Sequence, residues 1–505
     1  MEEQINIEKL SYGKAAVGRL SDGRTAFVEN AVPGDVARVS LVADKGSYVT
    51  ARIVELCEAS ALRVAPCCAD LSRCGGCPWG MVAYPAQLEA KRNNVVDALS
   101  RIAHMNREDA EALVEPCKAS KRELGYRNKV ELGACFHTGA TQGAGAKAGQ
   151  GNGTGTAPRR GAGFVPGRTD SIETGFDLGF SCNEDAYGIG QEEARKAERG
   201  GREAARKAER DSSRQDGPAL VCPARCPIAH KAIEGVPAAL RGALRFASAG
   251  DDLGIFRVGV RHSLRTGDLE IALWTVPGPF PRAMVAKTLR SAVRASSIVR
   301  VLAAPGKARS VKGVEVLDGK GYWEERLDGL TFKTSAPSFF QVNTAQAEAL
   351  IQSLLSLIPL DRGTVVADLY AGGGTFSLPL AKAAGTVFAV ESASSSVRDL
   401  RRNAEAAGLP LEVIGGDSAR ELPRLGSLDA LVVDPPRAGL AASLVSDIAA
   451  ARPRQIAYIS CDPATWARDV ARFDRSGYRL AHVQPFDLFP QTYHVEVLSL
   501  FSRKA

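Results

Sequence analysis

The residue best placed to react is a cysteine that directly follows an apolar, β-branched run. Cys461 stands in Tyr458-Ile459-Ser460-Cys461-Asp462-Pro463, at the predicted carboxyl end of a strand, where open α/β sheets gather their chemistry. Taken alone, an inert thiol is the better reading, since free cysteine is commonly buried. Further along, in Phe489-Pro490-Gln491-Thr492-Tyr493-His494-Val495-Glu496-Val497, alternation puts His494 and Glu496 on one face of a strand and Val495 and Val497 on the other. Either polar residue can act as a base. Glu496 is the preferred candidate, against the alternative of a charge-paired structural carboxylate.

A second constellation gives Cys461 a context. Asp368-Leu369-Tyr370-Ala371-Gly372-Gly373-Gly374-Thr375 follows an apolar run and opens a helical pattern, where glycines let the backbone approach a ligand at the switch edge of a sheet. Glu391 comes 19 residues after Gly372 at the end of the next strand, placed to accept hydrogen bonds from ribose hydroxyls, with a capping carboxylate as the structural alternative. Asp417, after the third strand, can receive an adenine amino group. The D-x-x-x-G-x-G pattern from Asp368, with no arginine replacing the acid, favours S-adenosyl-L-methionine over NAD. Asp434-Pro435-Pro436-Arg437 ends a fourth strand facing the same pocket. Amino-group methyltransferases often carry an aromatic where Arg437 stands, which argues against exocyclic N-methylation.

A thiol beside a methyl sulfonium suggests methylation at carbon. Carbon 5 of a pyrimidine is too weak a nucleophile to take a methyl group unless a thiolate first adds to carbon 6 and builds an enolate. One cysteine and one base are needed. The thiol, of reference pKa ~8.5, must lose its proton to add, and the carbon 5 proton must leave before elimination.

Cys68, Cys74 and Cys77 crowd together in a chain with 11 cysteines. A chain this long folds without disulfide staples, so the crowding points to metal ligation or chemistry in a reducing compartment. With 505 residues, 45% hydrophobic and 24% charged, the sequence is that of a multidomain globular protein, and collagen-like, wholly disordered and disulfide-stapled classes are excluded. The 64 Lys and Arg against 57 Asp and Glu give +7, which permits an RNA partner without requiring one. The polar start lacks the apolar segment of a leader, and no run reaches the ~18 apolar residues of a membrane span. A soluble, cytoplasmic chain without a membrane partner, and a monomer, is expected.

The elements that must hold these residues fall into four parts. Residues 1–58 read as short strands separated by turns, a small β-barrel. The order from Gly13-x-x-x-Val17-Gly18-Arg19 to Gly34-Asp35-Val36-Ala37-Arg38-Val39 resembles a TRAM domain, an OB-like RNA-binding barrel found on RNA-modifying enzymes. Residues 59–115 hold the cysteine segment and a predicted amphipathic helix over 86–102, with Leu88, Val95, Val96, Leu99 and Ile102 at helical spacing beside Lys91 and Arg92. Residues 116–335 form an α+β central domain interrupted at 138–163, which includes nine glycines, and at 191–216, where Arg-Lys-Ala-Glu-Arg occurs twice. Both interruptions read as surface insertions. Residues 336–505 alternate apolar β runs with helical patterns and end in an edge strand pair, which gives a doubly wound α/β domain of the class I (Rossmann-like) methyltransferase kind.

Five motifs occur in order: Phe340-Gln341-Val342-Asn343, Asp368-Leu369-Tyr370 with Gly372 and Gly374, Asp434-Pro435-Pro436-Arg437-Ala438-Gly439, Ser460-Cys461-Asp462-Pro463-Ala464-Thr465, and Phe489-Pro490-Gln491-Thr492 with His494-Val495-Glu496. Together they resemble the RNA uracil-5-methyltransferases that use S-adenosylmethionine. The resemblance implies that Gln341, Tyr370, Glu391, Asp417 and Asp434 contact the cofactor, that Cys461 is the nucleophile and that Glu496 accepts the proton. Ala371 departs from the cysteine often found there, which is not a catalytic position. Tyr126-Arg127-Asn128-Lys129 resembles the family's central RNA-binding domain, and the RNA would lie across a cleft between three domains with its target base flipped out. Cys68-x5-Cys74-Gly75-Gly76-Cys77 resembles the [4Fe-4S] motif of the ribosomal RNA branch, with Cys226 as the expected fourth ligand, Cys222 its rival and zinc the alternative metal. Barrel and cysteines together favour 23S ribosomal RNA over transfer RNA. Cytosine-5 methylation of RNA is the nearest enzymatic rival.

Overall fold

The computed structural model describes residues 2–137, 175–181, 220–306 and 310–504; the low-complexity stretches 138–163 and 191–216 lie outside the described residues. β1 (Glu2–Leu10), β2 (Ala15–Arg19), β3 (Thr25–Glu29), β4 (Val36–Asp44) and β5 (Tyr48–Glu58) close into a barrel in the order β1-β2-β3-β5-β4. The period of two sends Ile5, Ile7, Ala26, Val28 and Val39 into its core. Closure demands glycine at position 18, where a Cβ would stand 2.6 Å from the Asn6 carbonyl oxygen.

After the barrel the chain turns through the cysteine segment into the helix Tyr84–Arg101. Val95, Val96 and Leu99 of that helix join the apolar core of the C-terminal domain. The expected apolar face is only partly the buried one: Ile102 is exposed, whereas Gln87, Lys91 and Asn94 are buried. The reason is polar. Lys91 Nζ donates to Asp487 Oδ1 at 2.5 Å and to the Phe489 carbonyl at 3.0 Å, which lets a charged side chain sit away from water. Beyond the helix, Glu115 and Lys118 donate their N–H groups to the Val483 and Pro485 carbonyls, laying this segment along the edge of the C-terminal sheet.

The central domain is a seven-stranded sheet of β6 (Lys129–His137), β7 (Gly175–Ser181), β8 (Leu220–Val221), β9 (Ile255–His262), β10 (Leu269–Thr275), β11 (Ser297–Leu302) and β12 (Gly313–Gly319), ordered β12-β11-β10-β9-β6-β7-β8. Helices Val236–Ser248 and Arg282–Ala292 cover one face through Leu240, Leu244, Val285 and Leu289. Lys129 and Glu270 stand directly across from Arg261 in the neighbouring strands. A hairpin of β13 (Trp323–Leu327) and β14 (Leu330–Thr334) leads into the last domain.

There β15 (Val365–Leu369), β16 (Thr386–Glu391), β17 (Glu412–Gly415), β18 (Ala430–Val433), β19 (Gln455–Ser460), β20 (Tyr478–Phe486) and β21 (Glu496–Arg503) form a sheet ordered β17-β16-β15-β18-β19-β21-β20. β15 to β19 pair in parallel, and β21 inserts antiparallel between β19 and β20. Apolar cores lie on both faces, which is why these strands read as unbroken apolar runs. One expectation is corrected: β21 begins at Glu496, so His494 and Val495 belong to the preceding loop and do not alternate with Glu496 on a strand. That loop turns at Gln491 (φ 70°) and is pinned by Gln87, whose Oε1 accepts the Gln491 N–H at 2.9 Å, and by Tyr126, whose hydroxyl donates to the Pro490 carbonyl at 3.1 Å. Among the described residues no helix is long and apolar enough to cross a membrane.

Lys91→Ala strands Asp487 in the core without its cation, and breaking a buried pair in this way typically costs about 3–5 kcal/mol. Circular dichroism melts are expected to show a clear fall in midpoint for Lys91→Ala, largely recovered in Lys91→Met/Asp487→Asn. An unchanged midpoint for Lys91→Ala would show that the pair contributes nothing.

Candidate active site

The cofactor side of the site grows out of the turn after β15. Tyr370, Gly372 and Gly374 take left-handed φ values of 65°, 56° and 96°. At Gly374 a Cβ would meet Leu378 and Leu400 side chains at 2.3 and 2.7 Å, so only glycine fits. The turn brings the Gly372 N–H onto Glu391 Oε2 at 2.9 Å, while the Ala393 N–H reaches Oε1 at 2.6 Å. Glu391 is therefore held at the end of β16, and each oxygen keeps capacity for a further donor. Asp368 is buried, accepts the Ser377 hydroxyl through Oδ2 and leaves Oδ1 without a partner. Burial pushes its carboxyl up to about 7 against the Ser377 hydrogen bond, and Glu391 adds to the rise. Asp417 is exposed and caps the turn Ser418–Glu421 through the Ala419 and Arg420 N–H groups. Gln341 is buried, with its carbonyl held by Asn128 Nδ2 at 2.9 Å.

The Asp434–Gly439 loop is anchored from below by Asp469, a buried residue that accepts the Leu440 N–H at 2.8 Å and the Tyr458 hydroxyl at 2.9 Å. Half-buried Asp434 is pushed up to about 7 by burial and by Asp368. Arg437 is exposed at the rim, its carbonyl tied to Thr465 Oγ1 at 2.9 Å.

The Cys461–Glu496 pair is set by sheet register. Ser460 of β19 pairs with Val497 of β21, so one residue on, Cys461 comes opposite Glu496. Burial raises the Cys461 thiol to about 12, helped by Glu496 and Asp434 and opposed by Arg437. Glu496 is itself held well above the ordinary carboxylate range by burial and by Asp434. His494 is pushed down to about 4 by burial and Arg437, so it is neutral, and its Nδ1 is buried without a partner. Burial thus favours the uncharged forms of thiol, carboxyls and imidazole alike, with Arg437 and Asp462 among the charged groups that act on them.

The cysteine segment folds on itself, with the Val64 and Cys67 N–H groups on the Met81 and Gly80 carbonyls. The thiols of Cys68, Cys74, Cys77 and Cys226 lie close enough to disfavour one another's ionisation. Cys222 has Arg241, Asp177, Arg245 and Asp70 among its charged surroundings. A fifth thiol, Cys67, hydrogen-bonds with Cys77 and was not anticipated from spacing. Among the described residues no group of three or more His, Cys, Asp or Glu side chains is arranged to hold a metal ion.

Residues 418–504 match the profile of the tRNA (uracil-5-)-methyltransferase family, and residues 2–54 that of the TRAM domain. An uncharacterized RNA methyltransferase of Thermosynechococcus vestitus is 32% identical over 510 residues, covering 99% of this chain and 97% of its own length. The chain belongs to the RNA uracil-5-methyltransferase family. A second relative in Gloeobacter violaceus, also an uncharacterized RNA methyltransferase, is 32% identical across 99% of this chain and 96% of its own. The crystal structure of the Pyrococcus abyssi tRNA (uracil-54, C5)-methyltransferase in complex with S-adenosyl-L-homocysteine shares the fold, with a TM-score of 0.65 at 22% identity over 99% of this chain and 100% of that one. The N-terminal barrel is a TRAM domain. Sequence reasoning about this methyltransferase missed Asp469 and Lys91, which anchor the site's loops from distant elements, and Tyr12, whose hydroxyl reaches the Cys461 carbonyl at 3.1 Å.

With the thiol at about 12, thiolate is the minor form at neutral pH and rises steadily with alkali. Alkylation of Cys461 by iodoacetamide, followed by peptide mass spectrometry, is expected to accelerate from about pH 7 to about pH 10 without levelling. A plateau below about pH 8 would mean that the thiol is already activated in the free protein.

Proposed function

We propose that the protein transfers a methyl group from S-adenosyl-L-methionine to carbon 5 of a uridine in RNA, with 23S ribosomal RNA as the favoured substrate, through a covalent bond between Cys461 and carbon 6. The observation that carries this reading is the thiol facing a buried carboxyl across β19 and β21, beside the glycine turn of a methyltransferase sheet.

When bound, S-adenosyl-L-methionine supplies an electrophilic methyl group and a positive charge. Gln341, Tyr370, Glu391, Asp417 and Asp434 would hold it. The unpartnered Asp368 Oδ1 and the free lone pairs of Glu391 fit a ligand rich in hydroxyl and amino donors. On the other side, the Cys461 sulfur, once deprotonated, bonds to carbon 6 and leaves the ring as an enolate. Carbon 5 then takes the methyl group. Glu496, as carboxylate, removes the carbon 5 proton, the enolate re-forms, and the sulfur–carbon bond breaks to release the thiolate. A carboxyl that burial disfavours as an anion is a correspondingly stronger base once ionised.

Cys68, Cys74, Cys77 and Cys226 would be the residues to hold a [4Fe-4S] cluster, since they come from two segments far apart in the chain and their thiols act on one another's charge, although they are not set in ligating geometry among the described residues. Bound there, the cluster would cross-link the cysteine segment to the central domain. Zinc accepts the same four thiolates. The TRAM barrel with this cysteine set supports ribosomal over transfer RNA. Mapping 5-methyluridine and 5-methylcytidine in ribosomal and transfer RNA, with and without the gene, separates these substrates.

Cys461→Ala should bind S-adenosyl-L-methionine and transfer nothing. Glu496→Gln should still add and methylate but stall before elimination, leaving an RNA–protein adduct that survives denaturing electrophoresis and carries label from the cofactor's methyl group. Normal turnover by Glu496→Gln would move the base elsewhere, to His494 first. Turnover by Cys461→Ala would end the covalent mechanism.

Protein purified without air should be brown, and Cys68→Ser, Cys74→Ser, Cys77→Ser or Cys226→Ser should bleach it and lower its melting point. One zinc per chain with no iron or acid-labile sulfide would overturn the cluster assignment.

A further inference from the structure

Tyr12 lies in the turn between β1 and β2 of the TRAM barrel and yet reaches the reactive cysteine. Its hydroxyl donates to the Cys461 carbonyl at 3.1 Å, and its ring meets Tyr493 edge-on with centroids 5.6 Å apart. Tyr493 in turn packs on His494 at 4.2 Å. Asp462, Cys461, Arg437 and Glu496 are all near enough for their charges to act on the phenol. The two tyrosines are exchanged between domains, Tyr12 packing on the C-terminal core and Tyr493 on the barrel core. The turn that carries Tyr12 is held in place by Trp79, a fully buried residue whose Nε1 donates to the Gly13 carbonyl at 3.2 Å.

We propose that Tyr12 is a positioning residue for the nucleophile, by which the RNA-binding barrel completes the catalytic centre. Its hydroxyl fixes the peptide that follows Cys461, where the chain leaves β19 and no longer has the sheet ladder to hold it. Its ring braces Tyr493 and thereby the segment leading to Glu496. A displacement of about 1 Å at a reacting atom can slow a reaction about a hundredfold, so a brace outside the chemistry has a kinetic signature. The inference rests on Cys461 as the nucleophile.

The test uses the full chain with S-adenosyl-L-methionine and substrate RNA carrying 5-fluorouridine, in which fluorine at carbon 5 cannot leave as a proton does and the adduct accumulates. Tyr12→Leu keeps apolar bulk but loses both the ring and the hydrogen bond. At saturating RNA and cofactor it is expected to form adduct at least tenfold more slowly, with cofactor affinity and half-saturating RNA within twofold of wild type. Tyr12→Phe keeps the ring contact but loses the hydrogen bond, and is expected to react at a rate between those of Tyr12→Leu and wild type. A Tyr12→Leu rate within twofold of wild type would overturn the proposal. So would a loss that vanishes at saturating RNA, or one matched by lost cofactor binding, because Tyr12 would then be a docking or structural contact only. Cys461→Ser serves as the control: product from that variant would remove the nucleophile assignment itself, whereas an inactive Cys461→Ser beside a normal Tyr12→Leu would sink only the role of Tyr12.

Discussion

The place of the Glu496 carboxyl depends on one buried ion pair. Lys91 and Asp487 are both fully enclosed, and Asp487 Oδ1 also accepts the Phe489 N–H at 3.1 Å. Desolvating two charges is expensive, and well-packed apolar residues of the same volume often do as well for stability. What apolar packing does not supply is a fixed point. Asp487 opens the loop that ends at Glu496, and the point contact with Lys91, together with the reciprocal Gln87–Gln491 hydrogen bonds, leaves that loop one position along the helix Tyr84–Arg101. Glu496 can then enter β21 in the register that faces Cys461.

That precision serves a site kept electrically quiet. Asp368 and Asp434 rise to about 7, Glu496 rises above its ordinary value, and the thiol is held near 12, all chiefly through burial. For carboxyls raised in the folded state, the stability gained by protonation is present at acid pH and is lost as pH climbs through the folded values toward neutrality. The fold therefore carries strain near pH 7, where two of these carboxyls are poised to ionise. A cation entering beside them relieves it by drawing off protons, whereas an anion pushes them further toward the protonated form.

Much of this architecture is legible in the residues. β15 to β19 announce themselves as apolar runs because both faces of the sheet are covered, and the barrel shows its period of two. The cysteine–carboxyl pair is legible because each residue sits at the boundary of such a run. What is not legible comes from partners far apart in sequence. Nothing local to the helix Tyr84–Arg101 says that Lys91 turns inward, since its reason is Asp487, 396 positions away. Likewise Asp469 reads as an ordinary helix-surface acid until the Leu440 N–H, Tyr458 and Arg472 are seen to converge on it. Alternation alone puts His494 on a strand, because the pattern continues past the point where Gln491 turns the chain.

The same convergence explains where this chain can accept extra sequence. The loop from Asp487 to Val495 receives hydrogen bonds from Gln87 and Lys91, from Trp79 and from Tyr126, and ring contact from Tyr12, so three domains share one short segment. Added length between any of those contacts would have to be absorbed without moving a reactive atom. The glycine-rich and repeat stretches instead fall between β6 and β7 and between β7 and β8, the strands at one end of the central sheet. Closing a longer loop there costs only slowly growing entropy. Cys226 follows β8 closely, however, so a cluster joining it to Cys74 and Cys77 would restore a fixed distance on the far side of the insertions.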